Sequence, residues 1–91
     1  MESAIGTVTH YYSHLHVAVL QLTDRLNVGA TLHISGQTTD FTQKVAFMEV
    51  DHRRVVVAEP GEEVALKVVK PVREHDRLYR VRRDVMDLRV L

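Results

Sequence analysis

The stretch AEPGEEVALKV, residues 58–68, constrains the fold of this chain more than any other. It joins a Pro60-Gly61 turn to a strand in which Val64, Leu66 and Val68 alternate with small or polar residues. A second stretch, GQTTDF at residues 36–41, places a polar loop before another alternating run, residues 41–50, which is the longest predicted strand. Turns at this spacing, with β-branched residues between them, predict an antiparallel all-β domain.

Apolar residues alternate with a period of two along most of the remaining chain, and helical periodicity is weak. We therefore predict a single domain over residues 1–91, a small closed antiparallel β-barrel of six to seven strands. The barrel is expected over about residues 4–82, because closure removes the exposed edges of so many valine-rich strands. The tail, residues 83–91, either adds one strand or offers an edge to a partner.

Composition limits the class of protein. The 91 residues are 45% apolar and 26% charged, as in an ordinary globular domain, and they include no cysteine. No secretory leader or membrane-spanning run is evident, so a cytoplasmic protein without membrane contact is expected. The net charge is zero, but residues 67–91 hold eight Lys or Arg against four Asp or Glu. A basic third of this kind is typical of a solvated surface or of a face for an anionic partner.

Several short stretches resemble a known family. GTV at residues 6–8, LNVG at 26–29 and ISG at 34–36 resemble the opening strands of the second, β-barrel domain of elongation factor Tu. HYYS at 10–13 and GQTTDFTQ at 36–43 resemble small stand-alone elongation factor-like proteins, and a similar barrel is appended to collagenase-like peptidases. The sequence departs from the pattern at Ala30 and His75, where that family usually has Gly-Asp. The resemblance implies a translation-factor type of barrel that contacts RNA or a neighbouring domain and carries out no chemistry.

No catalytic or cofactor site is predicted. The four glycines are too scattered for a phosphate-binding loop, so we expect no GTP bound by this chain alone. Glu59, Glu62 and Glu63 bracket a turn, where solvated acids are usual. Of six histidines, His14 and His16 would share a face only in an extended chain, and a metal would need further ligands. We therefore predict no metal site and no enzyme.

The candidate contacts for RNA or another partner are one aromatic residue and a set of cations. A barrel face that combines an aromatic ring with arginines is typical of single-stranded nucleic-acid binding. Phe41 either is exposed at the end of its loop or packs against the rim, whereas Phe47 is expected in the core. The full candidate set is Phe41, Arg53, Arg54, Lys67, Lys70, Arg73, Arg80, Arg82 and Arg83.

Two binding functions compete. The first is an RNA- or ribosome-associated module that contacts tRNA or rRNA through its basic face. The alternative is a protein-interaction or oligomerisation domain that uses Met86, Leu88 and Val90 of the tail. A free-standing enzyme is a distant third interpretation.

Overall fold

A computed structural model of the protein describes residues 2–82. Within this range the chain forms ten strands and no helix, so the all-β prediction is confirmed and no described segment is a helix that could span a membrane. The strands are β1 (Glu2–Tyr12), β2 (Val17–Leu22), β3 (Leu26–Asn27), β4 (Thr31–Ser35), β5 (Asp40–Lys44), β6 (Met48–Val50), β7 (Arg53–Val55), β8 (Val57–Ala58), β9 (Glu63–Lys67) and β10 (Arg77–Val81). The extra strand considered for residues 83–91 lies outside the described residues.

Alternation decides which side chains enter the core. Along β2, β4 and β9 every second residue is buried, as the sequence predicts. The buried side chains are Ala18, Leu20, Leu22, Leu32, Ile34, Val64 and Leu66. Fully burying an aliphatic side chain of this size contributes roughly 1.5–3 kcal/mol, so this face stabilises the sheet.

Strand β1 breaks the predicted alternation. Strict alternation along β1 would place Ile5 and Val8 on opposite faces of the sheet, but both side chains are buried. Against β10 the register slips between Ala4 and Gly6, which makes Ile5 an extra, bulged residue. A bulge changes which face the following residues occupy, so Ile5 and Val8 both reach the core.

The predicted closed barrel is corrected by the strand pairing. Within residues 2–82, eight strands form one antiparallel sheet in the order β5-β4-β10-β1-β2-β9-β6-β7, and β3 pairs with β8. The edge strands β5 and β7 share no ladder among the described residues, because the turn after β3 lies between them. Gly29 N donates to Val45 O over 2.7 Å, Val45 N donates to Ala30 O over 2.9 Å, and Val28 N donates to Val56 O over 2.9 Å. Residues 2–82 therefore form a small antiparallel sheet fold, and these three hydrogen bonds join residues 28–30 to the chain that follows each edge strand.

The long strand predicted from residue 41 to residue 50 is in fact two strands, β5 and β6. The break at residues 45–47 shifts the alternation, so Val45 and Met48 are both buried. Phe47, expected in the core, is 41% exposed, whereas Phe41 is 9% exposed and belongs to the core. The rim-packing alternative for Phe41 is thus confirmed, and little of its ring is accessible for stacking.

The two turns that define the fold have clear local causes. Glu62 N donates to Glu59 O over 3.1 Å across Pro60-Gly61, and Gly61 has a φ of 91°. Proline followed by a positive-φ glycine is the requirement of a type II turn, so the predicted turn is confirmed. In the second stretch, Gly36 is needed for close packing, because a Cβ atom there would lie 1.9 Å from Asp76 Oδ1.

Candidate functional site

A groove with an apolar floor crosses the outer face of β2, β9 and β6. Its volume is about 470 Å³. We call it the apolar groove; it is lined by Tyr12, Leu15, Val17, Phe47, Glu49, His52, Ala65, Leu66 and Lys67. Tyr12, Leu15 and Phe47 are 49%, 62% and 41% exposed, so three large apolar side chains face solvent together.

The β1–β2 turn supplies one end of the apolar groove. Leu15 N donates to Tyr12 O over 3.1 Å, which closes a turn at residues 13–16. His16 has a φ of 58°, and its carbonyl accepts a 2.8 Å hydrogen bond from Val68 N. This bond fixes the turn against the chain that follows β9, so Leu15 is held at the surface.

The other end of the apolar groove is built by the β6–β7 hairpin. Asp51 and His52 both have positive φ values, 51° and 64°, as the two central residues of a type I′ turn do. Arg54, on β7, has its guanidinium carbon 4.8 Å from the centre of the Phe47 ring. This cation–π contact stabilises the exposed ring by about 0.5–1 kcal/mol.

A second groove, of about 430 Å³, lies beside the polar loop that precedes β5. We call it the basic groove; it is lined by Thr38, Thr39, Asp40, Phe41, Lys70, Pro71, Val72 and Arg73. The Asp76 carboxylate accepts a 2.8 Å hydrogen bond from Arg73 N and so orders the chain there. The Gln43 amide fixes the other side, since it donates to Lys67 O over 3.0 Å and accepts from Val69 N over 2.9 Å.

A group of charged residues around Asp24, which we call the third cluster, binds Arg80, one of the predicted contact residues. Arg80 donates to Asp24 Oδ2 over 2.9 Å and also to the carbonyl of Arg25. Arg25 N donates to Asp24 Oδ1, and this bond, followed by that of Arg80, lowers the pKa of Asp24. Arg82 lines the groove beside this cluster, together with Glu59.

The predicted basic surface is therefore divided among separate places. Lys67 and Arg54 border the apolar groove, Lys70 and Arg73 line the basic groove, and Arg80 and Arg82 lie at the third cluster. Arg53 is exposed on the edge strand β7. Arg83 and the tail residues Met86, Leu88 and Val90 lie outside the described residues.

His33, on β4, lies between two carboxylates, that of Glu2 on β1 and that of Asp40 on β5. His33 Nδ1 lies 2.7 Å from Glu2 Oε2, and His33 Nε2 lies 2.6 Å from Asp40 Oδ1. Both nitrogens are donors only in the imidazolium form. The bond to Asp40, then that to Glu2, raises the pKa of His33 above its ordinary 6.5. Within residues 2–82 no group of histidines and acids is arranged to hold a metal ion.

Sequence reasoning missed Phe47 and Leu15 as surface residues. Phe47 looked internal because unbroken alternation from residue 41 would place it beside Val45. The available signal was weak: Ala46 is the one small apolar residue in that run and sits at the break. Leu15 lies in the β1–β2 turn, and its exposure together with Tyr12 and Phe47 depends on strands that are distant in sequence.

Comparisons with known proteins bear on the fold. No family model matches the chain. An uncharacterized protease of Methanocaldococcus jannaschii is 38% identical over 76 residues, which are 82% of this chain and 19% of that protease. Two crystal structures of the C-terminal domain of a Geobacillus thermoleovorans protein described as a U32 peptidase, one a selenomethionine variant, have TM-scores of 0.81 and 0.79 at 20% identity. They cover 86% and 84% of this chain and 91% and 96% of those domains.

The chain shares the fold of that C-terminal domain. This finding agrees with the resemblance to a domain appended to peptidases. It gives no support to the resemblance to stand-alone elongation factor-like proteins. The matched segment is a small fraction of the curated protease, so the bulk of that protease has no counterpart in this chain.

Proposed function

We propose that this chain is a non-catalytic accessory domain that binds a protein partner through the apolar groove. The observation that carries the proposal is the joint exposure of Tyr12, Leu15 and Phe47 on one face of the sheet. A contiguous exposed apolar patch rimmed by polar residues is typical of a protein-binding site. The rim here is polar, since Glu49, His52 and Lys67 surround the apolar floor.

Energetics favour a partner that covers the groove. Burying one large apolar side chain contributes roughly 1.5–3 kcal/mol, and aromatic residues and arginine dominate binding energy at protein interfaces. The Phe47–Arg54 pair combines both residue types in one contact. Strands β2, β6 and β9 supply a pre-formed surface, so little ordering is needed when a partner binds.

The comparisons support an accessory role. The fold is that of a C-terminal domain of a protein described as a peptidase, and the curated relative is named a protease of which the match covers 19%. We infer that the chain contributes binding and no catalysis, because its solved counterpart is a C-terminal domain and the match covers a small part of the curated protease.

Affinity capture with matched variants tests this function. The wild type, Phe47→Ser and Val69→Ser are each immobilised and exposed to an extract of cells that make the protein. Val69 is 69% exposed but does not line the apolar groove, so it is the matched control. We expect a protein retained by the wild type and by Val69→Ser and lost with Phe47→Ser, with or without nuclease. Retention that nuclease abolishes, or that Phe47→Ser leaves intact, would contradict the proposal.

RNA association is a second candidate, favoured by the basic groove. Lys70 and Arg73 line this groove together with Thr38 and Thr39, and cations and hydroxyl groups are common contacts of phosphate oxygens. Two cations give weak binding, since even well-charged proteins bind nonspecific sites at ~10⁻⁴–10⁻⁶ M. Fluorescence anisotropy of labelled tRNA at low and near-physiological salt is the test. Steeply salt-dependent binding that Lys70→Ala/Arg73→Ala weakens more than Arg53→Ala/Arg54→Ala would support it.

A further inference from the structure

Lysine and arginine side chains outnumber acidic side chains at the apolar groove. Lys67 on β9 lines the groove, and Arg54 on β7 borders it through its contact with Phe47. Within residues 2–82 neither cation has a carboxylate within ion-pair distance. Glu49 is the one acid among the lining residues described, and it lies opposite Arg54 in the β6–β7 ladder. Lys67 is therefore a cation without a described partner on an apolar surface.

The order of the strands sets the spacing along the groove. Tyr12 and Leu15 form one end, Phe47 forms the other, and Lys67 lies between them because β9 separates β2 from β6. Three strand spacings of ~4.8 Å separate β1 from β6, so the groove is roughly 14 Å long. An extended chain advances ~3.4 Å per residue, and about four residues cover that length.

We propose that the partner contributes an extended segment with large apolar side chains at positions i and i+4 and a carboxylate at i+2. Side chains two residues apart lie on the same face of an extended chain, so all three reach the groove together. The apolar side chains contact the Leu15 end and the Phe47 end, and the carboxylate pairs with Lys67. The inference rests on the proposed function, because it names the chemistry of the partner of that groove. Tyr12 and Phe47 lie at opposite ends, and the aliphatic surface of Val17, Ala65 and Leu66 between them favours apolar side chains over a continuous stack of nucleobases.

Two matched peptides test the inference. The first probe is fluorescein-labelled Gly-Leu-Ser-Glu-Ser-Phe-Gly-amide, and the second has lysine in place of the glutamate. We expect the wild type to bind the glutamate peptide at least tenfold more tightly than the lysine peptide in anisotropy titrations. Lys67→Glu should reverse this order. Lys70→Glu makes the same charge change in the basic groove and should leave the ratio of the two affinities unchanged.

The outcomes separate this inference from the proposed function. Equal binding of both peptides, weakened by Phe47→Ala, would keep the groove as the binding site and overturn the carboxylate preference. Absence of binding up to millimolar peptide, or binding that Phe47→Ala leaves unchanged, would overturn the inference, while the capture experiment decides the proposed function independently. A wild-type dimer in light scattering that Phe47→Ala converts to a monomer would assign the groove to a second copy of the chain and would also overturn it. Circular dichroism of each variant checks that the fold is retained.

Discussion

His33 has a carboxylate within hydrogen-bond distance of each ring nitrogen. Its ring joins β4 to the first residue of β1 through Glu2 and to β5 through Asp40. The two carboxylates stabilise the imidazolium, so the folded-state pKa of His33 lies above the value of 6.5 that applies to an unperturbed histidine. Protonation of this one ring therefore stabilises the attachment of three strands.

The stability of the protein should depend on pH through His33. A raised folded-state pKa gives a stabilisation that is complete below about pH 6.5 and is lost as the pH rises through the folded pKa. We expect the difference in unfolding free energy between the wild type and His33→Gln to be largest near pH 5.5 and to shrink at alkaline pH. Urea titrations from pH 5.5 to 9 measure this difference. A difference that is constant over this range would show that the ring acts through packing alone.

Substitution of Gly36 should destabilise the protein for a steric reason. An added Cβ atom would lie 1.9 Å from Asp76 Oδ1, and Asp76 is 5% exposed and cannot easily move. We expect Gly36→Ala to lower the unfolding free energy by roughly 1–3 kcal/mol, the usual cost of overpacking. Chemical denaturation measures this loss.

A double-mutant cycle identifies the cause of that loss. In an Asp76→Ala background the clash is absent, so the added cost of Gly36→Ala should nearly vanish. Asp76→Ala is itself destabilising, because Arg73 N loses its 2.8 Å acceptor. Additive losses in the cycle would rule out the clash as the mechanism.

Among the elements, the strands that pack in simple alternation could be predicted and the others could not. β2, β4 and β9 carry their buried residues at every second position, and the Pro60-Gly61 turn has its own local chemistry. The bulge at Ile5 and the break at residues 45–47 depend on backbone partners elsewhere in the chain. Local periodicity carries no information about such partners, so the predicted core placement of Phe47 failed there.

The same reasoning explains how much of the candidate site could be predicted. Lys67, Lys70 and Arg73 were predicted as partner contacts from their charge alone, and their distribution over two grooves depends on the sheet order. Arg80 appeared equivalent to them in sequence, yet it is paired with Asp24, a residue 56 positions away. Charge counts identify cations and give no information about the acids that neutralise them.

Substitutions in the β6–β7 turn should raise the stability of the protein. Asp51 and His52 both adopt positive φ values, which cost non-glycine residues about 1 kcal/mol or more each. Asp51→Asn/His52→Gly supplies the preferred type I′ pair and should raise the unfolding midpoint by roughly 4–8 °C per kcal/mol gained. His52→Ala removes the same side chain without easing the backbone and should give no gain. An equal gain from both variants in thermal denaturation would assign the effect to loss of the imidazole.

At the scale of the whole molecule, truncation tests the contribution of the tail, residues 83–91. Every ladder between the described strands lies within residues 2–81. We expect a chain that ends at Arg83 to keep the circular dichroism spectrum and unfolding midpoint of the full chain. If the full chain self-associates through Met86, Leu88 and Val90, light scattering should find the shortened chain monomeric. Self-association that survives the truncation would exclude the tail as its source.

The position of β10 has a consequence for how the chain is made. β10 pairs with β1 on one side and with β4 on the other, so the last described strand lies inside the sheet next to the first. Synthesis proceeds from the N-terminus at ~5–20 residues per second, and β1 therefore waits roughly 4–16 s for this partner. During that interval one edge of β1 is unpaired on the ribosome. The sheet can therefore be completed only after residue 81 has left the exit tunnel.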